Sequence, residues 1–166
     1  MWNILSERFQ NDPAKMRVAR LVIELGLRVY GGEVYIGPLK VTLTSIAKAL
    51  NVDRKTVREA VKILSTDEKL GPILSKIRSA GAFLNEASKI LGYTLVIVEA
   101  DSHMPGIIAG ITKIIADAGR SIRQIMAEDP DLFPEPKLYI VIDGKIQEDL
   151  ISEMLKVRGV KKVSIS

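Results

Sequence analysis

Tyr93-Thr94-Leu95-Val96-Ile97-Val98-Glu99-Ala100-Asp101-Ser102-His103-Met104-Pro105-Gly106-Ile107-Ile108 is the stretch that decides the fold. Thr94 to Val98 is a continuous, largely β-branched run of the kind that forms buried strands. Pro105-Gly106 then opens a helix with Ile107, Ile108, Ile111, Ile114 and Ile115 on its apolar side, ended by Gly119. Ser121 to Ala127 and Leu138 to Ile142 read as two further strands, separated by the proline-rich loop from Asp129 to Pro136. Ile146 to Val157 reads as a second helix stopped by Gly159, and Val160 to Ile165 as a last strand. The order is βαββαβ over 93–166, the split βαβ arrangement of ferredoxin-like folds.

Upstream of that region, Ala82 to Leu91 reads as a helix ending at Gly92, giving a connector over 81–92. Before it lies a mostly helical module over 1–80. Asp12-Pro13 is a helix start, because an Asp side chain caps free amides and Pro suits the first helical position. Met16, Ala19, Val22, Ile23 and Leu25 recur at helical spacing up to Gly26, which predicts a helix over 13–25. Leu27 to Tyr30 and Glu33 to Ile36 flank Gly31-Gly32, a pair suited to the positive φ angles of a two-residue hairpin turn, with an extension over Leu39 to Val41. Thr44-Ser45 opens a helix through Leu50, broken at Asn51-Val52-Asp53. Asp53 caps a further helix in which Val57, Ala60, Val61 and Leu64 form one stripe. Gly71-Pro72 punctuates the chain before a short helix over Ile73 to Ile77.

The segment Ser45 to Val61 resembles a bacterial or archaeal helix-turn-helix. Small Ala47 lets two helices cross closely, Ile46, Leu50, Val52, Val57 and Val61 fill the crossing, and Asn51 stands where Gly often supplies a left-handed turn. The exposed side of the second helix carries Arg54, Lys55, Thr56, Arg58, Glu59 and Lys62. Arg pairs with guanine edges and Lys near a helix start neutralises phosphate, so DNA is the expected partner; Glu59 either reads cytosine or repels non-cognate backbone. No Gly-rich hairpin follows Leu64, and the only hairpin precedes the motif.

Composition agrees with this division. Residues 1–92 carry 15 Lys/Arg against 9 Asp/Glu, whereas residues 93–166 carry 9 against 11, so an anionic partner is expected for the first part alone. With 47% apolar residues, three Phe and one Trp, the core is expected to be aliphatic. Cysteine is absent and there is one histidine, which excludes thiolate chemistry and a histidine relay; no Gly-rich phosphate loop or nucleophile elbow occurs. No catalytic residue, metal or cofactor is therefore expected. Glu128, Asp129, Asp131 and Glu135 share a loop with three prolines and read as a solvated connection rather than a cation site. No apolar run approaches the ~18 residues of a membrane span, and Met1 to Arg8 lacks a signal peptide's apolar stretch, so a cytoplasmic location without a membrane partner is expected.

Val98 to Thr112, followed by Asp117 to Ile122, resembles the signature of ACT domains. The whole chain is similar to a family of archaeal regulators of amino-acid metabolism that join a helix-turn-helix to an ACT domain. The resemblance implies an amino-acid effector held by Asp101, Ser102, His103, Met104, Pro105, Gly106 and Ile107 together with Gly119, Arg120, Ser121 and Ile122. Its contacts would fall on His103, the Asp101 to Gly106 loop and Ser121, where many family members carry Asp or Asn, so that His103 and Ser121 depart from the family. Read from the residues alone, the loop enters a helix whose first amides are unsatisfied and suited to a carboxylate, and Asp101 suits a ligand ammonium. Alternatively Asp101 and Ser102 cap that helix and His103 is an exposed loop residue. ACT domains pair side by side, which implies a homodimer; two recognition helices about 34 Å apart read successive major grooves. The competing function is a regulatory or interaction subunit that binds no DNA and docks on a metabolic enzyme through its ACT domain.

Overall fold

The chain, described over residues 2–166 in this computed structural model, opens with α1 (Trp2–Phe9) and α2 (Pro13–Glu24). Met1, the first residue of the module expected over 1–80, lies outside the described residues. In α1, Leu5 and Phe9 are buried one turn apart and face α2. The start of α2 follows its sequence: Asp12 accepts the Lys15 amide at 3.0 Å and Pro13 occupies the first turn. The helix ends where Leu27 donates to the Val22 carbonyl at 2.8 Å and Gly26 turns left-handed at φ +60.

Strands β1 (Arg28–Tyr30), β2 (Glu33–Ile36) and β3 (Leu39–Val41) form an antiparallel sheet. Gly31 and Gly32 both take positive φ in the first hairpin turn. Because side chains alternate, Val29 and Val34 are paired and buried on one face, while Arg28, Tyr35 and Lys40 line up across the other. Then come α3 (Leu43–Leu50), α4 (Arg54–Thr66) and α5 (Leu70–Leu74). The first is capped by Thr42, which accepts the Ser45 amide at 3.1 Å, so it begins before the expected Thr44-Ser45.

Helix α5 begins before the expected Ile73. Asp67 accepts the amides of Lys69 and Leu70, both at 2.9 Å, and Pro72 falls in the first turn, where a missing N–H costs nothing. Arg8 donates to the same carboxylate at 2.7 Å. The Leu70 amide foremost, and then the Lys69 amide and Arg8, hold the Asp67 carboxyl below its ordinary range against the opposing effect of burial. A depressed folded pKa gives stability that is present above the unfolded value of about 4 and lost as pH falls through the folded value. Asp67→Ala is expected to lower the melting temperature by roughly 4 °C at pH 7, a gap that closes under acid, as calorimetry at graded pH would show.

The chain divides into two compact units, Met1–Gly81 and Ala82–Ser166. The second contains β4 (Tyr93–Ala100), α6 (Ile107–Asp117), β5 (Ile122–Ala127), β6 (Lys137–Asp143), α7 (Glu148–Leu155) and β7 (Val160–Ile165). The strands lie in the order β5-β6-β4-β7 with antiparallel neighbours, so the α+β class and ferredoxin-like βαββαβ order are as the sequence predicts. Val96, Val98, Leu138, Ile140 and Ile142 from the sheet pack under Ile107, Ile111 and Ile115 of α6 and Met154 of α7. Helix α6 passes close to the turn after α7 at Gly110, where a Cβ would stand 2.9 Å from Val157 Cγ1.

The helix expected over Ala82 to Leu91 is not formed, and the connector is a series of turns. Its backbone is claimed by the sheet. Gln124 of β5 accepts the Leu84 amide and donates to the Ala82 carbonyl, both at 2.8 Å, and Phe83 sits edge-on to Tyr139 at 5.1 Å. Tyr139 and Gln124 share a sheet face with Leu95 and Val141, which are buried although α6 and α7 lie on the opposite face. The segment thus covers the second side of the sheet.

Candidate functional site

In the first unit a tight turn over 51–53 joins α3 to α4. Asn51 is left-handed at φ 50, ψ 54, Val52 donates to the Ala47 carbonyl at 3.0 Å, and Asp53 accepts the Lys55 amide at 2.6 Å. Ile46, Ala47, Val57, Ala60, Val61 and Leu64 are buried in the crossing. On another arc of α4, Arg54, Arg58 and Lys62 are exposed at successive i, i+4 positions with exposed Lys55 beside them. None of the four forms an ion pair with another described residue. Like charges at i, i+4 weaken a helix, so the stripe is not explained by helix stability. Thr56 is half-buried at the edge of this surface.

Glu59, unlike its basic neighbours on α4, has an ion-pair partner. Its carboxylate meets Lys15 of α2 at 2.9 Å, and Lys15 also meets Asp12 at 3.1 Å. The hydrogen bond from Lys15 is the main cause holding the Glu59 carboxyl below its ordinary range. Glu59 braces α4 against α2 through this pair.

In the second unit, the loop from Asp101 to Gly106 joins β4 to α6. Asp101 Oδ1 accepts the His103 amide at 3.2 Å, its own amide donates to Gly159 at 2.8 Å, and the His103 ring is exposed. Helix α6 starts at Gly106, φ +91, with no side-chain cap, so Asp101 and Ser102 shape the loop and leave the first helical amides open. Ser102, Met104, Pro105, Gly106 and Ile107 border a cleft of about 470 Å³. Val98, Ala100 and Leu138 give it an apolar floor, and Ala127, Glu128, Asp129, Pro130, Pro136 and Lys137 its far wall.

Part of that wall is the loop expected to be a solvated connection, in which Asp129, Asp131 and Glu135 are exposed. Glu128 accepts the Lys137 amide at 2.9 Å and the Tyr139 hydroxyl at 3.3 Å, while burial and then Glu128 push the Tyr139 hydroxyl's pKa up. Asp129 accepts the Asp131 amide at 2.7 Å. Among the described residues no group of acids and histidine is placed to hold a metal.

Gly119, Arg120, Ser121 and Ile122 lie at the opposite end of the sheet from the loop. Both β4 and β5 run antiparallel to β6, so they are parallel to each other: Ile122 is level with Ile142 and Thr94, and Ala127 with Leu138 and Val98. Five residues at about 3.3 Å each separate the two groups by about 17 Å. One chain therefore does not bring Ser121 to His103. Arg120 instead donates its amide to Ile115 at 3.1 Å, and the Ser121 carbonyl accepts from Asp143 at 2.9 Å.

These elements define an α+β chain with helix-turn-helix geometry in one unit and a ferredoxin-like sheet in the other. No protein-family model and no curated protein sequence matches it. Among solved structures, the ACT domain of the GTP pyrophosphokinase of Chlorobium tepidum is similar to 45% of this chain over 95% of its own length, with 24% identity and a TM-score of 0.35. An AsnC-family transcriptional regulatory protein from Pyrococcus furiosus is similar over 93% of this chain and 87% of its own, with 13% identity and a TM-score of 0.28. An AsnC-family transcriptional regulator from Agrobacterium tumefaciens covers 93% and 88%, with 14% identity and a TM-score of 0.29. No helix among the described residues is long and apolar enough to cross a membrane.

Proposed function

We propose that the chain is a cytoplasmic transcriptional regulator of amino-acid metabolism that binds duplex DNA through α4 and is controlled by a small effector at its ferredoxin-like, ACT-type unit. The observation that carries this reading is the stripe of exposed, unpaired Arg54, Lys55, Arg58 and Lys62 on the second helix of a capped, tightly turned helix pair. Arg54 and Arg58 suit guanine edges, and Lys55 near the helix start suits phosphate. The protein acts as a homodimer joined through the second units, so that two copies of α4 meet successive major grooves. It needs no catalytic group. A pool of genomic duplex fragments is expected to be retained in low salt and released steeply as salt rises, whereas failure to retain any duplex ends the reading.

The effector is an amino acid seated in the cleft beneath the Asp101 to Gly106 loop, its carboxylate on the open amides of α6 and its side chain on Val98, Ala100 and Leu138. Pairing of two such units supplies Gly119, Arg120, Ser121 and Ile122 from the partner, which one chain alone does not. Effector binding alters operator affinity with a coupling of about 1–3 kcal/mol. One or more amino acids are expected to raise the melting temperature, and Asp101→Ala to remove most of that rise by loosening the loop. An unchanged melting temperature with all twenty would leave the unit as a dimerising module.

A further inference from the structure

A second cleft, of about 380 Å³, lies wholly within the first unit and is lined by Gly26, Arg28, Gly37, Pro38, Ile77 and Arg78. Two of these six carry guanidinium groups and none carries a carboxylate. Arg28 Nε is buried without a hydrogen-bond partner, so the terminal nitrogens of its guanidinium are the ones left to meet a ligand. Its guanidinium is fixed by stacking on its cross-strand partner, with Cζ 5.0 Å from the Tyr35 ring centre. The acid on that sheet face, Glu33, already accepts from Tyr35 and from Lys40. Arg78 is brought alongside because the chain after α5 runs tightly past Gly26, where a Cβ would stand 3.0 Å from Ser79 Cα and 3.2 Å from the Arg78 carbonyl oxygen. Neither Arg28 nor Arg78 forms an ion pair with another described residue.

We propose that this cleft is a phosphate site in which Arg28 and Arg78 grip one tetrahedral oxyanion between them. A carboxylate satisfies a single guanidinium fork with its two oxygens, whereas a phosphate group offers a second edge to a second fork. The group comes either from the backbone of a nucleic-acid duplex or from a free phosphorylated small molecule. The site is separate from the stripe on α4, so it stands even if that helix reads no DNA.

The test uses the full chain, Arg28→Gln and Arg78→Gln. Inorganic phosphate and pyrophosphate are titrated at constant ionic strength against melting temperature, and duplex affinity is measured at graded salt. Because Arg28 also packs on Tyr35, Arg78→Gln is the variant that leaves the sheet intact. Wild type is expected to be stabilised by several degrees in pyrophosphate and both variants to lose the response. If Arg78→Gln also lowers the salt slope of duplex binding by about one, the phosphate is a strand phosphate; an unchanged slope assigns the site to a free phosphate compound. A slope change without a response to either free anion likewise supports the site, for strand phosphate. Wild type and Arg78→Gln giving the same response to both anions and the same slope overturns the proposal.

Discussion

Arg58→Glu is expected to lower duplex affinity by about 100-fold or more at low salt while leaving the melting temperature of the protein nearly unchanged. Arg58 lies between Arg54 and Lys62 on the exposed arc of α4, one turn from each. A carboxylate there removes a cation from the DNA-facing surface, places an anion against phosphate and pairs with both neighbours at i±4, withdrawing them as well. Arg and Glu have similar helix propensities and the side chain is exposed, so the fold has little reason to respond. Fluorescence anisotropy on a labelled fragment, read beside a thermal melt, separates lost binding from lost folding. Glu59→Gln is the useful contrast: it breaks the pair with Lys15 and should cost stability before it changes specificity.

Gly159→Ala is expected to destabilise the second unit by about 2–3 kcal/mol and to erase the effector response. The residue has φ +92, where side chains are strained, and its Cβ would stand 2.7 Å from Met104 Sδ and 3.2 Å from Ile107 Cδ1. The Gly159 carbonyl also accepts the Asp101 amide. Relief of the clash must therefore come from Met104 and Ile107, both of which line the larger cleft. Gly92→Ala is the control. Its φ is +76, but a Cβ there meets nothing within 4 Å, so it carries strain without displacing the loop. Calorimetry should show the larger loss for Gly159→Ala, and thermal shift with the effector should separate the two variants completely.

The parts of the fold that were legible are those where local chemistry and tertiary packing agree. Asp12-Pro13, Gly31-Gly32, Asn51 and Asp53 each impose a backbone state that the structure adopts, and the isoleucines of α6 form the core stripe that their spacing implies. The misreadings have identifiable causes. Phe83, Leu84, Ala87 and Leu91 have a helical rhythm, yet Gln124, far along the chain, takes the amide of Leu84 and the carbonyl of Ala82. The short α1 has little signal in the sequence: Leu5 and Phe9 are a one-turn apolar pair, but eight residues give periodicity little room. At α5, Gly71-Pro72 read as a break, but Asp67 takes the amides of Lys69 and Leu70, so the helix is under way before Pro72.

The candidate sites divide in the same way. The basic residues of α4 were legible because the buried stripe at Val57, Ala60, Val61 and Leu64 dictates which side remains outside. The pairing of Glu59 had no local signal, because Lys15 lies on another helix. The far wall of the larger cleft was latent in the βαββαβ order itself: with β5 parallel to β4, Ala127 ends level with Val98, whereas Ser121 begins at the other end. Arg28 and Arg78 carried no local signal. Their proximity depends on Gly26 admitting the chain after α5.

The most direct test of α4 as the reading head is nuclear magnetic resonance mapping of the full chain during titration with a retained duplex. The largest shifts are expected at Arg54, Lys55, Arg58 and Lys62, weakening together as salt is raised. A bound duplex that leaves those four signals in place and moves residues elsewhere would contradict the account.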